Sequence, residues 1–209
     1  METPLPPDGR INGIVIRSHA SRESDAVLRV LTAEAGKISI YARGARASKR
    51  RFGSSIELFD RGEMKVRIGR GSMAELESFQ PRAALRSLRE DFDKLAAASL
   101  LCECVDLIVK EEQAHAGEQE QIYTDVDLAL QAIEESASLI DTCRATFFAL
   151  SSVLSRSGFL EHDSARKPSA KNLLHLIRIT EECAEKQVAS KEAFVSVLKQ
   201  LGKPTAANA

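Results

Sequence analysis

The feature that most constrains this chain is a change of hydrophobic period at Pro81. Before it, apolar and polar residues alternate, as in strands with one face buried. After it, apolar residues recur every three or four positions, as on one face of a helix. The clearest strand is GKISIYAR, where Ile38, Ile40 and Ala42 point one way and Lys37, Ser39, Tyr41 and Arg43 the other. Residues 63–68 repeat the pattern, with Met64, Val66 and Ile68 inward and Lys65 and Arg67 outward. INGIVIRS at 11–18 and DAVLRVLT at 25–32 are β-branched runs with polar turns between them, and MAELESF follows the Gly69-Arg70-Gly71 turn. Five short strands in the first 80 residues predict a small barrel, for which an OB-fold is the natural candidate.

In the second part, Leu85, Leu88, Phe92, Leu95 and Ser99 are spaced to line one face of a long helix, and a second helix is expected over 119–135. Leu139, Cys143, Phe147, Leu150 and Leu154 mark a third, stopped by Gly158. Pro168-Ser169 opens a helix with Leu173, Leu176 and Ile177. Ser190 is placed to cap the last, which carries Phe194, Val197, Leu198 and Leu201 and ends at Gly202 and Pro204. The expected architecture is therefore α+β in two domains, an OB-fold barrel over 1–80 and an all-α helical domain over 82–209.

Charge divides along the same line. Residues 1–81 hold 14 Lys/Arg against 10 Asp/Glu, and residues 82–209 hold 15 against 20, so a net +4 faces a net −5. No acidic residue occurs between Glu34 and Glu57, an interval that carries Lys37, Arg43, Arg46, Lys49, Arg50 and Arg51. Five of these six fall within ARGARASKRR, whose Gly, Ala and Ser content reads as a loop. Concentrated positive charge attracts phosphate backbones, although charge alone leaves a solvated loop without a partner as an alternative. Lys37, Tyr41 and Arg43 share an outward face, and Lys65, Arg67 and Arg70 extend it. Tyr41 and Phe52 are candidates to stack bases, with anchoring of the loop against the barrel as the alternative for Phe52. Glu75 and Glu77 also point outward and weaken any patch they border.

Other functions find less support. The sequence holds no nucleophile elbow, P-loop, zincin or dinucleotide motif, and its carboxylate clusters lie on polar helix faces. No catalytic residue is expected. Cys102 and Cys104 are two positions apart on a helix and point nearly opposite ways. Cys143 and Cys183 each sit on an apolar helical face, and the four histidines show no ligand spacing. Buried thiols, no metal and no cofactor are expected. The longest apolar stretch, Leu95 to Val105, is broken by Ser99 and Glu103, and METPLPPDGR lacks the order of a secretory signal. A cytoplasmic protein with no membrane partner is expected.

The succession G-I-V-I-R, T-A-E-A-G-K, A-R-G-A-R-A-S-K-R-R-F-G, L-F-D and G-R-G resembles the RecO family of bacterial recombinational-repair proteins. So do LREDFDKLAAASLLCECVDL and the R-A-T-F-F-A-L block at 144–150, followed by Gly158-Phe159-Leu160. The resemblance covers roughly residues 11–160. It implies an OB-fold followed by a helical domain, binding of single- and double-stranded DNA, and annealing of complementary strands. It also implies RecR-like and SSB-like partners and, indirectly, RecA. Carried over, the DNA-contacting positions are Lys37, Arg43, Arg46, Lys49, Arg50 and Arg51. Arg144, assisted by Arg178, is placed to bind the acidic tail of SSB, with ordinary surface cations as the alternative. Many relatives carry a four-cysteine zinc module after the G-F element, where this chain reads EHDSARKPSAK. The module is missing, which puts the RecR contact in question. The expected protein is a monomeric, nucleoid-associated mediator. A protein–protein adaptor with a degenerate barrel and an RNA-binding OB protein are the alternatives.

Overall fold

The computed structural model describes residues 5–45, 52, 55–68, 73–111, 116–161 and 167–201. Strands β1 (Arg10–Ala20), β2 (Ala26–Thr32), β3 (Gly36–Ala42), β4 (Arg61–Ile68) and β5 (Ala74–Pro81) close into a barrel in the order β1-β2-β3-β5-β4. The long β1 pairs with both β2 and β4, which closes the sheet on itself. Every pairing is antiparallel except that of β3 with β5, which are joined in parallel at Ile40–Ala74 and Tyr41–Glu75. This is the OB-fold that the alternation predicts. Gly36, with φ +64°, makes the turn between β2 and β3, where a side chain would meet Gln119 at 2.7 Å.

The barrel is apolar on two sides. Ile11, Val15, Leu28, Val30, Ile38, Ile40, Met64 and Leu76 fill its interior. Ile14, Ile16, Leu31 and Phe59 instead join the larger apolar cluster of the helices. Ile68, expected to point inward, is exposed at the end of β4.

Six helices follow among the described residues: α1 (Arg86–Glu90), α2 (Phe92–Ile108), α3 (Ala116–Glu135), α4 (Leu139–Arg156), α5 (Ala170–Ala184) and α6 (Lys191–Leu198). The single long helix expected from Leu85 onward is broken at Asp91. That carboxylate accepts hydrogen bonds from the amides of Asp93 (2.8 Å) and Lys94 (3.1 Å) and so starts a new helix. Phe92 is consequently exposed. The core side of α2 is formed by Ala96 to Ala98, Leu100 to Cys102, Cys104, Val105 and Ile108. A helix apolar nearly all round must be surrounded, and α2 touches each of the other helices as well as β1. Ser190 stands at the start of α6, but its hydroxyl makes no cap. It donates to Glu103 at 2.6 Å, and Glu103 also accepts the amides of Ala189 and Ser190. Leu201 is exposed, and Gly202 and Pro204 lie outside the described residues.

The barrel meets α2 through charge as well as apolar contact. Arg17 of β1 reaches one oxygen of Asp106 at 3.0 Å, and Arg29 of β2 approaches the other at 4.0 Å. Lys37 of β3 donates to that second oxygen at 3.3 Å and to the Asp106 backbone carbonyl. A slip of register between Val15 and Arg17 sets Arg17 opposite Arg29, and the shared carboxylate offsets the repulsion between them. Lys37 and Asp106 are both buried.

Two outcomes follow for stability and reactivity. Burial holds the Lys37 ammonium below its ordinary 10.5, against the upward pull of Asp106. Between the lowered folded value and 10.5 the unfolded chain binds the extra proton, so stability from this group rises with pH across that window. Asp106→Asn removes the upward pull. Thermal or urea unfolding of this variant should show a loss of about 3–5 kcal/mol at neutral pH, shrinking as pH is raised toward 10.5. The four thiols should also separate. Cys102, Cys104 and Cys143 are buried, with burial raising Cys104 to about 12 and Cys143 to about 11, whereas Cys183, expected to be buried, is exposed. A chromogenic disulfide reagent should titrate one thiol in the native protein and the other three only after unfolding.

Candidate nucleic-acid interface

The outward cations of the barrel fall into three groups. The first is covered by helices. Lys37 points away from Ile38 and Ile40, as the alternation predicts, but α2 lies over that side and leaves the residue only 6% exposed. The expectation that it meets DNA is therefore corrected, because its ammonium is spent on Asp106. Arg29 also pairs with Glu111, which accepts the Ser39 hydroxyl at 3.0 Å. On the other flank, Arg61 is buried against Asp127 (2.9 Å) and Gln131, and Arg82 joins the same carboxylate at 2.7 Å. Arg89 of α1 pairs with Asp60 at 2.7 Å and lies over the Phe59 ring.

The second group is exposed but paired across the sheet. Lys65 meets Glu77 at 3.3 Å, and Arg67 meets both Glu75 and Glu77. Two cations against two carboxylates give this patch no net charge, and exposed pairs of this kind contribute little to stability. Glu75 and Glu77 thus act on the patch as the sequence predicts.

The third group lies where β3 ends. Arg43 is exposed immediately after Ala42, and Gly44 follows with φ +72°. Arg46, Lys49, Arg50, Arg51 and Arg70 lie outside the described residues. Phe52 is 4% exposed within the barrel's apolar cluster, so it anchors the chain and does not stack a base. Tyr41 is half-buried, and its hydroxyl donates to Asp25 at 2.5 Å, which raises the phenol above its ordinary pKa. Asp25 also accepts the Gly44 amide at 2.8 Å, and these bonds hold its carboxyl below the usual range.

Two residues here escaped the sequence reading, Asp25 and the exposed Arg22 in the β1–β2 turn. Both are remote in sequence from the basic run. The one signal available was Tyr41, an outward aromatic that the register sets opposite Val27, two positions after Asp25.

In the helices, Arg144 is half-exposed, pairs with Asp141 at 3.3 Å and lines a cleft of about 90 Å³ with Ile140, Cys143, Pro168, Leu173 and Leu201. Arg178 pairs with Glu182 at 3.4 Å and does not line this cleft, so the structure does not bring the two arginines together there. Among the described residues, no group of three or more His, Cys, Asp or Glu is placed to hold a metal ion, and no helix is long and apolar enough to cross a membrane.

Comparison with known proteins agrees with this architecture. The family described as Recombination protein O N terminal matches residues 8–85, the whole barrel. The DNA repair protein RecO of Anaeromyxobacter sp. (strain K) is 39% identical over 107 residues, which are 51% of this chain and 42% of that protein. That of Symbiobacterium thermophilum is 36% identical over 103 residues, 49% of this chain and 40% of the relative. That of Listeria monocytogenes serotype 4a (strain HCC23) is 34% identical over 121 residues, covering 56% and 47%. The chain spans somewhat under half the length of these curated relatives. With its barrel matched throughout and its strand order that of an OB-fold, residues 8–85 of the chain form a domain similar to the N-terminal domain of the RecO family.

Proposed function

We propose that this protein is a mediator of recombinational DNA repair in the bacterial cytoplasm. It binds single- and double-stranded DNA, anneals complementary strands and helps load a recombinase onto SSB-coated DNA, without covalent chemistry. The observation that carries the reading is Arg43, exposed at the root of the ARGARASKRR segment on a RecO-type barrel. Complementary strands repel through their phosphates. A cationic surface that neutralises part of this repulsion, and reads little sequence, leaves the bases free to pair.

The helical part, 82–209, serves partners in this reading, and the barrel, 1–80, serves DNA. An SSB-like tail, a RecR-like protein and indirectly RecA are the partners. The cleft beside Arg144 suits a peptide that ends in carboxylates and an aromatic, because it joins an apolar floor to a cation. A second reading, a protein–protein adaptor, draws support from the ion pairs that engage Lys37, Arg29 and Arg61.

If about five phosphates are neutralised, log K for a single strand should fall with log salt at a slope of about −3.5. The combined variant Lys49→Glu, Arg50→Glu, Arg51→Glu should flatten that slope by about 2 and lose annealing while keeping its circular dichroism. Unchanged annealing removes the segment from the mechanism, and no binding by the parent protein at low salt favours the adaptor. A matched RNA strand that competes better than DNA turns the assignment toward RNA. Separately, Arg144→Glu should weaken binding of an SSB tail peptide by roughly tenfold or more without changing the affinity for bare DNA, read by fluorescence anisotropy.

A further inference from the structure

An acid beside a polyanion site opposes binding through its charge, yet Asp25 stands at the root of the basic segment. It is 6% exposed, and its carboxylate accepts the Tyr41 hydroxyl at 2.5 Å, the Gly44 amide at 2.8 Å and the Ser24 hydroxyl at 3.3 Å. These bonds join the β1–β2 turn to the end of β3. The same backbone is fixed further on, where the fully buried Ala45 accepts the Ile56 amide at 3.0 Å and donates to Ala42 at 3.4 Å. Gly44 takes φ +72°, a left-handed conformation suited to glycine, and the Asp25 carboxylate holds its amide there. Arg22 and Arg43 both lie close enough to act electrostatically on the Asp25–Tyr41 pair.

We propose that Asp25 is a positioning residue for polyanion binding. By holding the Tyr41 hydroxyl and the Gly44 amide, it sets the direction in which Arg43 leaves β3 and keeps it beside Arg22 of the neighbouring turn. The inference rests on the reading that this end of the barrel binds nucleic acid. It assigns Arg22 to the same surface and makes Tyr41 a strut.

Charge and positioning predict opposite signs. Removing a carboxylate near a phosphate-binding surface should tighten binding if only its field matters. It should weaken binding if the hydrogen bonds set the geometry. Asparagine separates the two, since its amide oxygen can accept from Gly44 and its NH2 can donate to the tyrosine oxygen without a charge.

The test is anisotropy of a fluorescein-labelled oligothymidylate at low salt, using the full chain, with circular dichroism and melting temperature as controls. Asp25→Ala should raise Kd about fivefold or more, and Asp25→Asn should bind within about twofold of the parent or more tightly. Arg22→Ala should weaken binding and flatten the salt slope by about 0.7. Tyr41→Phe, which loses only the hydroxyl, should weaken binding in the same direction as Asp25→Ala and serves as the deciding variant if the alanine protein does not fold. Binding by a folded Asp25→Ala or Tyr41→Phe protein at or above parental affinity overturns the inference and leaves the DNA-binding reading in place. A parent protein that does not bind the oligonucleotide overturns both.

Discussion

One buried carboxylate organises the contact between the barrel and the helices. Asp106 draws cations from three successive strands, Arg17, Arg29 and Lys37, onto one turn of α2. Removing a buried charge from water is costly, and the arrangement is tenable because both carboxylate oxygens are engaged and Lys37 also finds a backbone carbonyl. The apolar residues around it, Ile14, Ile16 and Leu31 from the barrel and Val105 and Ile108 from α2, belong to one cluster. Burial supplies non-directional attraction there, while the carboxylate fixes which strands α2 crosses and at what height.

That contact sorts the cations of the barrel. With α2 packed on β1 and reached by cations from β2 and β3, and α3 packed on β2 and β3, the helices use the face through which OB-folds often hold ligands, and Arg61 and Arg82 are engaged similarly around Asp127. Among the described cations of the barrel, Arg22 and Arg43 are exposed at its end, while Lys65 and Arg67 are exposed but face Glu75 and Glu77. The net charge of the first 81 residues is therefore a poor guide to the charge a ligand meets. A lysine counted toward the basic half serves the fold, and an aspartate counted against it braces the proposed site.

Much of the fold was legible because period-two and helical patterns are local. GKISIYAR announced β3, and the helix over 139–156 was fully marked by its apolar spacing and its Gly158 stop. The break at Asp91 was less visible, since a capping carboxylate within LREDFDKL has the same composition as an exposed helix surface. The site was read less well for one physical reason. Alternation tells which side of a strand a residue faces, but not whether another element covers that side. Lys37 and Arg43 carry the same parity, yet Lys37 is buried against Asp106 of α2 and Arg43, just past the end of β3, is exposed. Phe52 shows the converse, an aromatic within a polar run that serves the barrel interior.

The parallel seam between β3 and β5 has a different consequence. Among the described residues it is made by two register pairs, whereas the antiparallel ladders on either side are longer. The chain that departs after β3 must travel to β4 before β5 can come back to complete the seam. Lengthening such a connection is thermodynamically mild, about 0.6 kcal/mol for each doubling. The connection that carries ARGARASKRR can therefore change in length or charge at modest cost, provided that Ala45, Phe52 and Ile56 keep their places in the barrel's apolar cluster.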